Sequence, residues 1–164
     1  MDETTKAIVE RITITYAKPT RIPSGQVCSK FYDTLQLSPN DLARLAALAM
    51  GDNEPPHFDM AVGLAYTGIL FASAVAGGRK VGIIQEDGRM FGPDVKGLKI
   101  VIVDDVVHLG QRLLKATTCI ESEGGTVVGY ACIVDRSQNL NTAKAAQHSN
   151  LQHPLWSAFQ DQLV

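Results

Sequence analysis

The sequence predicts an α/β protein: a mostly parallel open sheet with helices on both faces, and small caps from the N- and C-terminal segments. Three observations predict it. From residue 57 onward, short apolar runs alternate with helix-length segments, the grammar of βαβ units with right-handed crossovers. Glycine pairs, Gly77-Gly78 and Gly124-Gly125, close two of the helical segments, as expected where a chain leaves a helix through the left-handed region. Finally, residues 98–112 (LKIVIVDDVVHLGQR) read as a buried strand running into two acids, then a short turn and a helix start. Ligands of open α/β sheets bind outside the carboxyl ends of the strands, so two acids there are placed to meet one.

Taken in order, residues 2–10 suit a short helix, and 11–16 alternate as a strand with Ile12, Ile14 and Tyr16 on one face. Residues 18–25 hold two prolines and a Ser-Gly pair, a loop, after which 27–32 return as a strand. Ser38-Pro39-Asn40-Asp41 announces the next helix, with Ser38 as N-cap, Pro39 in the first helical position and Asp41 in the first turn, and Gly51 stops it. A short strand is expected at 57–62, a turn at 63–67, a buried helix at 68–76 and a strand at 80–84. Residues 85–97 are polar and glycine-rich, a loop. The central strand, 99–103, is followed by a helix from Gly110 to about 123 and a strand over 126–134. Four or five strands are therefore expected in the sheet. Beyond Asp135-Arg136 the composition turns polar. Leu155, Phe159 and Leu163 then recur at helical spacing beside Trp156, predicting a short terminal helix.

A chain of 164 residues, 45% hydrophobic and 20% charged, is expected to form one domain over 1–164, with its core at about 24–136 and a polar tail at 137–164. A formal net charge of −2 and the lack of a basic run argue against a general nucleic-acid binder. No apolar run approaches membrane-spanning length, and the opening residues carry acids rather than a signal-type apolar core. Three cysteines without C-x-x-C spacing read as buried thiols of a cytoplasmic protein.

The candidate chemistry centres on Asp104 and Asp105. Ionised carboxylates are pure hydrogen-bond acceptors, so a pair of them suits two neighbouring hydroxyls. The plain alternative is a strand ending at a solvated edge. A receiver domain also places acids after a strand, but near its start, whereas only about sixty residues follow here.

Three collinear stretches carry a family resemblance. FDMAVGLAYTGILFASAVA resembles the orotate phosphoribosyltransferase segment in which a strand meets a G-x-A-Y-K-G turn. GLKIVIVDDVVHLGQRLLKATTCIESEGGTVVGYACIVDR resembles the stretch from that family's central strand to its Asp-Arg pair, and SGQVCSKFYD resembles its early substrate-side loop. The chain thus resembles a type I phosphoribosyltransferase over residues 24–136. The resemblance implies transfer of ribose 5-phosphate from phosphoribosyl diphosphate to an orotate-like, pyrimidine-like base. Mg²⁺ would be held through the diphosphate, with no metal bound directly by the protein, and the family implies a homodimer. Asp104 and Asp105 would hold the ribose hydroxyls, and His108, Leu109, Gly110, Gln111 and Arg112 the 5-phosphate. Thr67 and Gly68 would lie on the diphosphate side with Arg89, and Arg136, Ser24 and Gly25 would meet the base.

The chain departs from the family at the phosphate loop and the diphosphate side. The family's T-[TA]-G-[GT]-[ST] loop wraps the phosphate with backbone N–H groups, hydroxyls and small side chains. Here Gly110 remains, while Leu109 and Gln111 add bulk without a hydroxyl. The turn lysine is Thr67, and the loop after residue 84 keeps Arg89 as its main cation, with Lys96 at its far end. Removing such cations removes transition-state stabilisation, about 3 kcal/mol for one donor. Two readings of Arg112 stand open: it holds a bound anion at the helix start, or it folds back on Asp104 or Asp105. Two functions stand beside them, the enzyme and a non-catalytic relative that binds a nucleotide, an anion or another protein.

Overall fold

The computed structural model describes residues 1–21, 27–51, 56–137 and 151–161. Its elements run α1 (Glu3–Ile12), β1 (Thr13–Arg21), β2 (Val27–Tyr32), a 3₁₀ turn (Thr34–Gln36) and α2 (Pro39–Gly51). Then follow β3 (Met60–Leu64), α3 (Gly68–Ala76), β4 (Lys80–Ile84), β5 (Met90–Phe91), β6 (Lys99–Val107), α4 (Gln111–Ser122), β7 (Thr126–Asp135) and β8 (Leu155–Gln160).

Six strands form the main sheet in the order β5-β4-β3-β6-β7-β8. All its pairings are parallel except the short β4-β5 hairpin. The period-2 alternation of β6 sorts its side chains between two cores. Ile100 and Ile102 join the layer under α4 with Leu113, Ala116 and Ile120. Val101 and Val103 face the opposite layer, with Phe71 and Ala72 of α3 and Leu45 and Ala49 of α2. Every one of these side chains is buried, so the central strand is covered on both faces, as parallel sheets require.

Close approach of α3 to the sheet depends on two glycines. A Cβ on Gly63 would lie 2.8 Å from the Ile69 Cα, and one on Gly68 would lie 2.7 Å from the Val103 carbonyl oxygen. Helix α2 starts with a reciprocal cap. The Ser38 N–H donates to Asp41 Oδ2 at 2.8 Å and the Asp41 N–H donates to Ser38 Oγ at 3.2 Å. Arg11 of α1 adds an ion pair to Asp41 at 2.6 Å.

β1 and β2 form a separate antiparallel ribbon, with Thr13 opposite Tyr32 and Arg21 opposite Val27. The end of this ribbon meets the carboxyl ends of the main strands, where the Lys30 carbonyl accepts from Arg136 after β7. Three expectations are corrected. The terminal segment is a strand rather than a helix: β8 lies parallel to β7, with Trp156 opposite Ala131 and Phe159 opposite Val134. The edge of β7 offers backbone partners over six residues, more than one and a half turns of isolated helix could satisfy internally. Part of the expected loop at 18–25 is strand, since β1 continues through Pro19 to Arg21 as an exposed ribbon edge, where proline is tolerated. With β5 formed from two residues of the expected loop at 85–97, and β8 added, the sheet has six strands rather than four or five. Among the described residues no helix is long and apolar enough to cross a membrane.

Candidate functional site

The central strand runs four residues past the expected end, so both acids lie inside it, and Asp104 pairs with Cys132 of β7. Alternation then sends the two carboxylates apart. Asp104, on the α4 face, is almost fully buried; its Oδ1 accepts the Asp105 N–H at 3.0 Å. Asp105, half-buried, accepts the Thr34 hydroxyl through Oδ2 at 3.0 Å, so the 3₁₀ turn after the ribbon holds it.

Arg112 occupies the second position of α4 and turns back onto the strand. Its Nη1 donates to Asp104 Oδ2 at 3.0 Å and Oδ1 at 3.2 Å, and its Nη2 donates to the Ala65 carbonyl at 2.7 Å. Of the two readings left open by the sequence, this is the fold-back onto Asp104. The pairing offsets the repulsion between a cation and the positive end of a helix dipole. Burial pushes the Asp104 carboxyl well above the usual carboxylate range, and the Arg112 guanidinium offsets this only in part.

A cavity of about 420 Å³ opens beside the acids. Its walls bring together Asp104, Asp105, His108, Leu109, Gly110, Gln111, Arg112, Thr67 and Arg136, with Phe31 and Tyr32 from the ribbon. Gly110 takes φ +69°, and no side chain caps the first turn of α4, so the backbone N–H groups there face the cavity end of the helix. Arg112 is also a wall of a second cavity, about 200 Å³, lined by Leu64, Gln85, Lys115 and Cys119 among others.

Arg136 lies at the end of β7 with its side chain 6% exposed. Its Nε is 3.0 Å from Asp161 Oδ2, its Nη1 donates to the Lys30 carbonyl at 3.2 Å, and its guanidinium lies 5.7 Å from the Tyr32 ring centroid. The neighbouring Asp135 accepts the Ser137 N–H through Oδ1 at 2.8 Å.

Two predicted site residues stand elsewhere. Arg89 sits on the β4-β5 turn, its Nε 2.7 Å from Asp87 Oδ2, and lines neither cavity. Gly68 packs α3 against β6 rather than forming a cavity wall. Ser24 and Gly25 lie outside the described residues. Among the described residues no group of three His, Cys, Asp or Glu side chains is placed to hold a metal ion. Sequence reasoning missed Thr34, the Ala65 carbonyl and Asp161. Only the hydroxyl of Thr34, just after a strand, carried any local signal.

Residues 80–145 match the family model of the phosphoribosyl transferase domain. The matched stretch contains both acids, the α4 start and Arg136. Over that stretch the chain is similar to the phosphoribosyl transferase domain, and its curated relatives are orotate phosphoribosyltransferases. It is 37% identical over 107 residues to the orotate phosphoribosyltransferase of Coccidioides immitis, covering 52% of this chain and 44% of that one. It is 43% identical over 89 residues to the orotate phosphoribosyltransferase of Sulfurisphaera tokodaii, covering 49% and 46%. The chain therefore spans less than half the length of these two relatives. The fold agrees with the Mycobacterium tuberculosis orotate phosphoribosyltransferase solved with 5-phospho-alpha-D-ribosyl 1-diphosphate. There the TM-score is 0.74 at 20% identity, covering 96% of this chain and 94% of the other. Leishmania donovani UMP synthase shares it with a TM-score of 0.77 at 22% identity, covering 96% and 36%. The chain thus shares the fold of these structures while carrying Arg112 in the first turn of α4.

Proposed function

We propose that this protein transfers ribose 5-phosphate from phosphoribosyl diphosphate to a pyrimidine-like base, working as a cytoplasmic homodimer. The observation that carries the reading is the cavity itself, in which the acid pair of the central strand and the start of α4 stand on the same walls. Asp105 and, once uncovered, Asp104 accept hydrogen bonds from the ribose hydroxyls. The N–H groups from Gly110 onward receive the 5-phosphate, for which a helix N-terminus is a ready-made site. Arg136 and the Phe31-Tyr32 wall face the base. The divalent ion belongs to the substrate: Mg²⁺ arrives chelated by the diphosphate and offsets the charge that develops as diphosphate leaves. Thr67 supplies no cation on that side, and Arg89 must come from its turn to reach it.

Binding also asks Arg112 to leave Asp104, since a guanidinium covering both oxygens competes with the ribose. The phosphate at the start of α4 gives it an alternative partner of the same charge. Calorimetric titration of phosphoribosyl diphosphate with Mg²⁺ tests this, on the native protein and on Asp104→Asn/Asp105→Asn, with and without orotate. Saturable binding lost in the double variant is expected. No binding at millimolar ligand overturns the reading and moves the search to a non-catalytic role for the scaffold.

A further inference from the structure

We propose that Asp161 sets the acceptor of this site as an uncharged pyrimidine-like base rather than one bearing a carboxylate. The inference rests on the phosphoribosyl-transfer reading and narrows its substrate. Arg136 is the buried guanidinium on the cavity wall, the group with which a carboxylate-bearing base would pair. That role is already taken. The Asp161 carboxylate, just after β8 and 4% exposed, lies 3.0 Å from Arg136 Nε and does not itself line the cavity.

The contact is one of charge more than of alignment. Asp161 Oδ2 makes no hydrogen bond of acceptable geometry with any described residue, so the guanidinium at 3.0 Å is what compensates it. Lys30 Nζ, on the ribbon, lies 3.6 Å from Oδ1 and is partly exposed. Tyr32 fills the remaining side, and its hydroxyl is pushed upward by burial and by the Asp161 carboxylate beside it. A second carboxylate brought to Arg136 would meet that negative charge across a single guanidinium, with little water between. Interactions between charges are strong there, and wrong-sign juxtaposition is costly. Asp105 on the same cavity adds to the field against an anionic base. A neutral base carries no such penalty. It stacks its ring on Phe31 or Tyr32 and offers carbonyl oxygens to the remaining Arg136 donors.

The reaction is unchanged in kind. A ring nitrogen of the base forms a bond to C1 of the ribose as the C1–O bond to diphosphate breaks. Diphosphate leaves with the bonding electron pair, and the proton of the ring N–H passes to solvent.

The test compares orotate with uracil, the same ring without the carboxylate. Base consumption is followed in the presence of phosphoribosyl diphosphate and Mg²⁺, and the binding of each base is measured by calorimetry. The native protein is expected to favour uracil about tenfold or more, the scale on which a buried charge mismatch discriminates. Asp161→Asn is expected to shift the ratio toward orotate by a similar factor. Native protein that binds phosphoribosyl diphosphate yet handles orotate as well as uracil overturns the inference and leaves the transfer reading intact. Native protein that binds no phosphoribosyl diphosphate overturns both. The native comparison decides even where Asp161→Asn does not fold.

Discussion

The Arg112–Asp104 pair makes the site's electrostatics a property of the fold. Asp104 binds its proton more tightly in the folded chain than in the unfolded one, because burial outweighs the guanidinium. Between the ordinary carboxylate range and that raised value, the folded state holds the extra proton. Stability therefore falls as pH rises through this window, with a slope of at most about 1.4 kcal/mol per pH unit. Asp104→Asn removes the titration, so its stability relative to the native chain should climb from pH 4 upward. Arg112→Gln removes the opposing charge and should extend the native decline to higher pH. Urea midpoints across pH 4–8 check both, and parallel pH profiles for all three proteins would contradict the assignment. At this scale the sequence was legible in kind but not in partner. Asp104, Asp105, Arg112 and Arg136 stood out by residue type and position, whereas Asp161 could not be joined to Arg136 until β8 was seen to lie beside β7.

The elements succeed or fail by the same logic of local versus distant constraint. Helices α2, α3 and α4 announced themselves through a serine cap and glycine stops, signals written within a few residues of each end. β8 did not, because three apolar residues at helical spacing over a short segment say nothing about the vacant strand edge that awaits them. β6 outran its expected end for a related reason. Asp104 and Asp105 look like strand terminators, yet β7 continues alongside and pairs with residues as far as Val107. The glycine at the start of α3 is the element whose role the structure changes most. A methyl on Gly68 would meet the Val103 carbonyl at 2.7 Å and the Asp104 Cα at 3.1 Å, both backbone. Gly68→Ala should therefore push α3 away from β6 and destabilise the chain by about 1–3 kcal/mol, the usual cost of overpacking. It should also weaken phosphoribosyl diphosphate binding, because the displaced strand segment carries the acid pair. A thermal melt and a calorimetric titration of the variant measure the two effects. Binding loss without a lower melting temperature would mean that Gly68 itself touches the ligand.

The whole molecule is tied together at one seam, and its single tryptophan reports on it. Trp156 of β8 is buried and lies against Gly129 of β7, where an added Cβ would overlap the indole ring. The same core cluster contains Tyr32 of the ribbon, Ile8 and Ile12 of α1, Leu42 and Leu45 of α2, and Phe71 of α3. Phe159 meets Tyr32 edge-on, with ring centroids 5.7 Å apart. The terminal strand, the ribbon and the helical layer thus share one buried surface, which also carries the Arg136–Asp161 contact. Such a surface predicts cooperative loss. Unfolding followed by Trp156 fluorescence and by far-ultraviolet circular dichroism should coincide, as for a two-state domain. Trp156→Ala should lower stability by about 3–5 kcal/mol, as large buried aromatics do on truncation. It should also loosen Asp161 from Arg136, because β8 is held by that side chain and by its pairing to β7. A fluorescence transition well ahead of the dichroic one would show instead that β8 opens alone. Arg136 would then be exposed while the sheet stays folded, and the acceptor preference argued from Asp161 should relax under the same mild denaturant.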